Sequence, residues 1–191
     1  MKRLIKALPA IAMAGLLGAC SSTPPLQFYT LGPLAPPPAS PAPASTSASL
    51  VVGPVSVPAT IDRLLIVRLA GSRADVAEHH RWAAPLKTEI ARRVAADLAR
   101  RSPYARSVAW PQASIAEPTL SVPIDVLRFE ADGFERVTLE AVWTVRQNGR
   151  DLASRRFNAT EAITAPTFEA LASAHGRLVD ALAAEIAGAL P

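Results

Sequence analysis

The fold is decided by the stretch VTLEAVWTVRQNGR, residues 137–150. Its apolar residues alternate with mostly polar ones, at Val137, Leu139, Ala141, Trp143 and Val145. A period of two is the pattern of a β-strand with one buried face. The Asn148-Gly149 pair that follows is a strong signal for a two-residue hairpin turn. The sequence therefore predicts two antiparallel strands, the second running over residues 150–163.

Further strand signals precede this hairpin. Residues 50–58 predict a strand interrupted at Gly53-Pro54, and residues 64–69 predict a strand whose hairpin partner is the segment 75–80. Residues 120–129 alternate in the same way, but the parity reverses near the end of the segment, which predicts a β-bulge. These segments supply the rest of the expected sheet.

Two segments carry the apolar spacing of amphipathic helices. The first begins near Pro85 and ends near Ser102-Pro103, with basic residues around its polar side. The second follows Thr167, which can cap it, and Glu169 suits the positive end of its dipole. The expected fold class is α+β, a mainly antiparallel sheet with two long amphipathic helices packed on it.

The N-terminus predicts export and lipid attachment. A basic start is followed by an apolar run over residues 7–17, which is too short to cross a bilayer. Leu17-Gly18-Ala19-Cys20 then matches a bacterial lipobox, in which the cysteine sulfur is acylated and the chain is cut before it. We expect lipidation at Cys20, with covalent acyl chains such as palmitate. The alternative is a cleaved signal with an incidental free cysteine.

The chain divides into three predicted parts. Residues 1–19 form the signal peptide, residues 20–49 a lipidated N-terminus with a Pro/Ala/Ser-rich tether or loop, and residues 50–191 a single globular domain. As a tether, the segment 33–49 could span about 50 Å in polyproline geometry. It is instead a surface loop if Phe28 and Tyr29 pair back into the sheet.

Composition and charge exclude several functional classes. Cys20 is the only cysteine, so the chain has neither a disulfide framework nor a thiolate metal cluster. Three of the 20 basic residues, Lys2, Arg3 and Lys6, lie in the signal, which leaves 17 against 16 acidic residues. This balance gives no reason to expect nucleic acid as a partner.

Few residues offer catalytic or metal-binding chemistry. His79 and His80 are adjacent and would point to opposite faces of a strand, while His175 stands among apolar residues at helical spacing. The sequence contains no serine-hydrolase elbow, zinc-protease pair, dinucleotide fingerprint or P-loop. We expect no bound metal, no cofactor other than the acyl chains, and no enzymatic activity.

An ordered set of short motifs points to a known family. The motifs are Cys20, Phe28-Tyr29-Thr30-Leu31, Val52-Gly53-Pro54-Val55, Ile61-Asp62-Arg63, Arg81-Trp82-Ala83-Ala84-Pro85-Leu86, Trp143-Thr144 and Phe168-Glu169-Ala170-Leu171. In this order the chain resembles the PqiC- and YmbA-like auxiliary lipoproteins of ABC-type transport systems. The resemblance implies an outer-membrane lipoprotein of a Gram-negative bacterium that faces the periplasm. It also implies work with a mammalian-cell-entry (MCE) type system that moves lipids between the two membranes.

These observations favour a non-enzymatic accessory subunit that supports membrane integrity. Its expected partners are MCE-domain and ABC transport subunits and the membrane, reached through the lipid anchor, with a homo-oligomer as a further expectation. Three alternatives stay open. One is a periplasmic carrier that encloses a lipid between sheet and helices, and another is an envelope hydrolase that uses His175 or His80. The third is a general envelope-assembly lipoprotein with a similar sheet-and-helix domain.

Overall fold

The computed structural model describes residues 24–34, 36, 48–104 and 106–191. Within these ranges the chain forms eight strands and two helices. The strands are β1 (Gln27–Tyr29), β2 (Ser49–Ser56), β3 (Leu65–Ala70), β4 (Arg73–Trp82), β5 (Arg106–Ala109), β6 (Leu120–Asp132), β7 (Arg136–Gln147) and β8 (Arg150–Ala162). The helices are α1 (Leu86–Arg101) and α2 (Phe168–Ala187). The signal segment and Cys20 lie outside the described residues.

Strands β6, β7 and β8 form an antiparallel meander with β7 in the middle. The five apolar residues whose alternation predicts β7 are all completely buried. Asn148 and Gly149 have φ angles of 50° and 77°, the positive values that a type I′ hairpin turn requires. The predicted hairpin is confirmed, and so is the bulge in β6, which lies between Val126 and Arg128.

The expectation of a mainly antiparallel sheet is wrong, because the sheet is mixed. Among the described strands, four of the seven neighbouring pairs are parallel: β1 with β4, β2 with β5, β2 with β6, and β3 with β6. The β3–β4 hairpin is antiparallel as predicted. Parallel strands are joined by long connections and not by hairpin turns, so the sequence contains no turn signal from which their pairing could be predicted. Strand β5 has no counterpart in the sequence-based prediction, since its four residues carry too little pattern.

The short strand β1 joins the sheet at its edge. Gln27–Tyr29 pair in parallel with His80–Trp82 of β4. From the sequence, residues 33–49 were expected to form a surface loop if Phe28 and Tyr29 join the sheet, and these two residues do join it. Most of residues 33–49 lie outside the described residues. The folded part of the chain therefore begins well before residue 50.

Both predicted helices are confirmed, and they pack on each other and on the same face of the sheet. Pro85 precedes α1, and the Thr167 hydroxyl caps α2 by accepting a hydrogen bond from the Ala170 amide at 3.2 Å. The largest completely buried side chains between the two layers include Trp143, Phe129, Leu98, Ile90 and Leu178. None of the helices in the described ranges is long and apolar enough to cross a bilayer.

Candidate functional site

One buried arginine fastens the N-terminal segment to both helices. Arg93 of α1 donates hydrogen bonds to the carbonyl oxygens of Leu31, Gly32 and Pro33 at 2.9, 2.7 and 2.9 Å. The same guanidinium forms a two-point ion pair with Asp180 of α2, at 2.7 and 2.8 Å. All five of its N–H donors are thus used, which no other side chain could reproduce. We call Arg93 and Asp180, with the three carbonyls that Arg93 holds, the N-terminal clamp.

Gly176 allows the clamped segment to approach α2 closely. It lies one helical turn before Asp180, so both residues face the same side of the helix. A Cβ atom at position 176 would stand 2.0 Å from the Leu31 carbonyl oxygen and 3.3 Å from the Arg93 Cζ. Leu31 itself is 2% exposed, so the segment cannot move away without taking this side chain out of the core.

The variant Gly176→Ala is expected to lower the free energy of unfolding by about 2 kcal/mol. Forcing a methyl group into a packed contact costs about 1–3 kcal/mol, and a backbone oxygen at 2.0 Å places this site at the upper end. Alanine returns only about 1 kcal/mol through its higher helix propensity. Urea denaturation of the purified domain measures the difference.

The matched control is Gly188→Ala, at the end of the same helix. There the new Cβ would meet its neighbours at 3.6 Å or more, an ordinary contact distance. We expect the control to change stability by no more than about 0.5 kcal/mol. Equal effects of the two substitutions would show that the segment does not press on Gly176.

An aromatic cluster holds β1 from the helix side of the sheet. The Tyr29 hydroxyl and His80 Nδ1 are hydrogen-bonded at 2.8 Å, and the His80 ring stacks on Phe168 with the centroids 3.7 Å apart. Burial lowers the pKa of His80, and the charges of His79 and Arg68 lower it further. These effects favour the neutral form of the His80 ring. The hydrogen bond ties β1 to β4, and the stacked rings tie β4 to α2.

His175 lies inside the core. It is 3% exposed, and its ring packs against those of Trp82 and Phe129, with centroids 5.2 and 4.6 Å away. Its Nδ1 donates to the Leu171 carbonyl, one turn earlier in α2, at 2.9 Å. Burial lowers the pKa of His175 to about 4. The side chain is thus neutral at physiological pH and has no open path to a substrate.

The buried His175 should make stability depend on pH. Its pKa in the folded protein, about 4, lies below the ordinary value of 6.5, so the unfolded chain binds the proton first as the pH falls. This contribution is absent above about pH 7 and destabilises the fold progressively between pH 6.5 and 4, by about 2 kcal/mol at pH 5. Urea denaturation at pH 7.5 and 5.0 should therefore show a larger loss for the wild type than for His175→Leu. An equal loss in both proteins would rule this out.

The other residues proposed from the sequence are not brought together by the fold. Within the described ranges, no group of three or more His, Cys, Asp or Glu side chains is placed to hold a metal ion. The hydrogen bonds found for His80 and His175 go to Tyr29 and to the Leu171 carbonyl, so neither ring is joined to a carboxylate. Cys20 lies outside the described residues, and its lipidation stays a prediction.

The depressions found among the described residues lie at the surface. One of about 590 Å³ adjoins β1 and the start of α2, and one of about 470 Å³ lies over polar residues of β6, β7 and β8, and both are open to solvent. A more apolar depression beside Val67, Leu69 and Val76 measures about 110 Å³. Sites for small molecules usually enclose about 300–1,000 Å³. Two further open depressions, of about 490 and 350 Å³, have mainly apolar linings, so the carrier alternative stays open.

Sequence patterns alone did not reveal the clamp. The helical spacing places Arg93 among the polar residues of α1, whereas the structure leaves it only 8% exposed. Asp180 gave no better signal, since helical spacing turns it away from the stripe of Leu178 and Leu182, yet it is only 8% exposed. A buried acid in such a setting needs a positively charged partner. The sequence could not say that Arg93 supplies it.

One comparison with known proteins identifies the family of the chain, and another identifies solved structures with the same fold. A family model described as "ABC-type transport auxiliary lipoprotein component" matches residues 29–187. Among curated protein sequences, none matches the chain. The crystal structure of an uncharacterized protein is similar with a TM-score of 0.69 and 18% identity, covering 86% of this chain and 98% of the other. Protein XCC0632 from Xanthomonas campestris, described under the family model DUF330, is similar with a TM-score of 0.65 and 22% identity, covering 85% and 92%.

Proposed function

Because this chain belongs to the family of ABC-type transport auxiliary lipoproteins, we propose that it is a non-enzymatic accessory subunit of an MCE-type system that moves lipids across the cell envelope. Acyl chains on Cys20 hold it to the periplasmic face of the outer membrane, and its folded domain binds a transporter subunit. By keeping that system attached, it supports membrane integrity. The observation that carries the proposal is the N-terminal clamp.

The clamp makes the lipid anchor and the folded domain one mechanical unit. Any force on the N-terminus passes through β1 into β4, and through Leu31–Pro33 into Arg93 and Asp180. A subunit that positions a transporter against a membrane needs such a connection, because a long free tether would leave the domain's distance from the bilayer undefined. The domain therefore suits a docking role better than that of a mobile carrier.

The proposal also fixes how the chain is divided. Residues 1–19 are removed on export, Cys20 becomes the acylated first residue, and only residues 21–26 separate it from β1. The remaining residues form one domain that presents its surface to MCE-domain and ABC transport subunits. Several copies of the protein arranged around the end of the transporter would give it a symmetric binding site at the membrane. Crosslinking of the native complex would detect these copies as a ladder of homo-oligomers.

Purification of the full-length protein from detergent-extracted membranes of its native host tests the function. We expect ABC transport and MCE-domain subunits to copurify with it, and a deletion strain to show slower lipid exchange between the membranes and greater detergent sensitivity. Copurification with neither subunit, together with unchanged lipid exchange, would contradict the proposal.

The variant Cys20→Ala separates anchoring from docking in the same experiment. It keeps the whole folded domain but removes the acylated sulfur. Made with an export signal whose removal does not depend on Cys20, it should appear in the soluble periplasmic fraction. It should still bind the transporter subunits when mixed with them in detergent. Loss of that binding would show that the acyl chains, and not the folded domain, bind the transporter subunits.

A further inference from the structure

Two apolar side chains project from the part of the fold that lies nearest the lipid anchor. Leu26 and Phe28 are 45% and 61% exposed, although side chains of their size are usually buried. Tyr29, the next residue of β1, contacts Phe168 on the helix side of the sheet. Because side chains alternate along a strand, Leu26 and Phe28 belong to the opposite face, which the helices leave open.

An arginine stands beside these two residues, and no side-chain hydrogen bond of it is found within the described part of the chain. Arg81 is opposite both Phe28 and Leu65 in the strand register, and it shares a shallow depression with Leu26 and Leu65. Its Nε is buried and has no hydrogen-bond partner among the described residues. Glu78 lines the same depression, but within the described ranges it forms no ion pair with Arg81. We call Leu26, Phe28, Leu65 and Arg81 the β1 patch.

The length of the connecting chain limits where the β1 patch can lie. Six peptide units join Cys20 to Leu26, and a fully extended chain covers about 3.6 Å per residue, so the Cα atoms of the two residues are separated by about 22 Å at most. The polar layer of a leaflet is about 5–8 Å thick. A lipid attached at Cys20 therefore keeps Leu26 within a short distance of the headgroups.

We propose that the β1 patch rests on the lipid leaflet in which the acyl chains of Cys20 are embedded, with Arg81 binding a lipid phosphate. Leu26 and Phe28 enter the boundary between headgroups and acyl chains, as apolar side chains of interfacial proteins do. The Nη donors of Arg81, for which no hydrogen bond is found among the described residues, match phosphate oxygens in charge and geometry. This contact adds a second attachment beside the acylated cysteine and orients the domain on the surface. The inference rests on the proposed lipidation of Cys20.

Fluorescence quenching by lipids tests the contact on the full-length lipoprotein. Acylation uses the sulfur of Cys20, so a cysteine introduced by Phe28→Cys is the only free thiol and can carry a fluorophore. The protein is reconstituted in vesicles of phosphatidylethanolamine and phosphatidylglycerol that contain a headgroup-labelled nitroxide lipid. The matched control is Leu152→Cys on β8, which is 48% exposed and belongs to the far edge of the sheet. We expect at least threefold stronger quenching at position 28.

A second pair of variants tests the role of Arg81. Arg81→Gln should lower the quenching at position 28 in phosphatidylglycerol vesicles, whereas Arg73→Gln, at the exposed start of the same strand, should leave it unchanged. Equal effects of the two substitutions on the quenching would show that Arg81 does not bind a lipid phosphate.

The outcomes distinguish this inference from the function it rests on. If the protein floats with the vesicles but positions 28 and 152 are quenched equally, the β1 patch does not touch the membrane, while lipid anchoring stands. If the protein does not float with the vesicles at all, the proposed anchoring fails, and the inference fails with it.

Discussion

Replacing Arg93 by alanine is expected to lower the free energy of unfolding by about 3–5 kcal/mol. The substitution leaves the Asp180 carboxylate, whose side chain is 11% exposed, without its counter-ion. It also removes the donors for the three carbonyl oxygens of Leu31–Pro33. A loss of this size is a large part of the about 5–15 kcal/mol that stabilises a typical domain. Urea denaturation followed by circular dichroism measures it.

The same variant should release the N-terminal segment, which stability data alone would not show. Limited proteolysis should cut Arg93→Ala within residues 24–36 at least tenfold faster than the wild type, under conditions where the remainder of the domain is folded. Arg92→Ala is the matched control, because Arg92 is the exposed neighbour in the same helix. We expect it to change stability by no more than about 0.5 kcal/mol. Similar behaviour of the two variants would mean that no clamp exists.

Replacing Trp143 by alanine is the second substitution with a large expected effect, about 3–5 kcal/mol of lost stability. The indole is completely buried between β7 and α2, and its Nε1 donates a hydrogen bond to the Glu185 carboxylate at 3.0 Å. The change removes the apolar surface of the ring and leaves a cavity. It also leaves the Glu185 carboxylate without this hydrogen-bond donor. Denaturation of the variant at pH 7.5 is the measurement.

Trp143→Phe separates the hydrogen bond from the packing. It retains a buried aromatic ring but loses the N–H donor, so we expect a smaller loss of about 1–2 kcal/mol. If Trp143→Ala altered stability by less than 1 kcal/mol, the ring could not be part of the core described above.

The sequence carried enough local information to predict most of the elements. The alternation around Trp143 and the Asn148-Gly149 turn defined β7 and its hairpin, and the Thr167 cap located the start of α2. Each of these signals operates within a few residues. The buried face of β7 was predicted correctly for the same reason, since alternation directly reports which face of a strand is apolar.

The arrangement of the elements depended on information that is not local. The parallel pairing of Leu50 with Leu120, and of Gln27 with His80, joins residues separated by more than fifty positions, and no turn records it. The clamp has the same character, because Arg93 and Asp180 are 87 residues apart and meet only after both helices have packed. An arginine on a helix with several other basic residues gives no sign that it will be buried.

The central claim is that an acyl group on Cys20 holds a clamped, folded domain at the membrane. Intact-mass analysis of the mature protein, purified from the membranes of its native host, tests this claim most directly. We predict a chain that begins at Cys20 and carries the added mass of a diacylglyceryl group, with or without a third acyl chain. A mass that matches the unmodified polypeptide, with a free thiol or with residues 1–19 still attached, would contradict it.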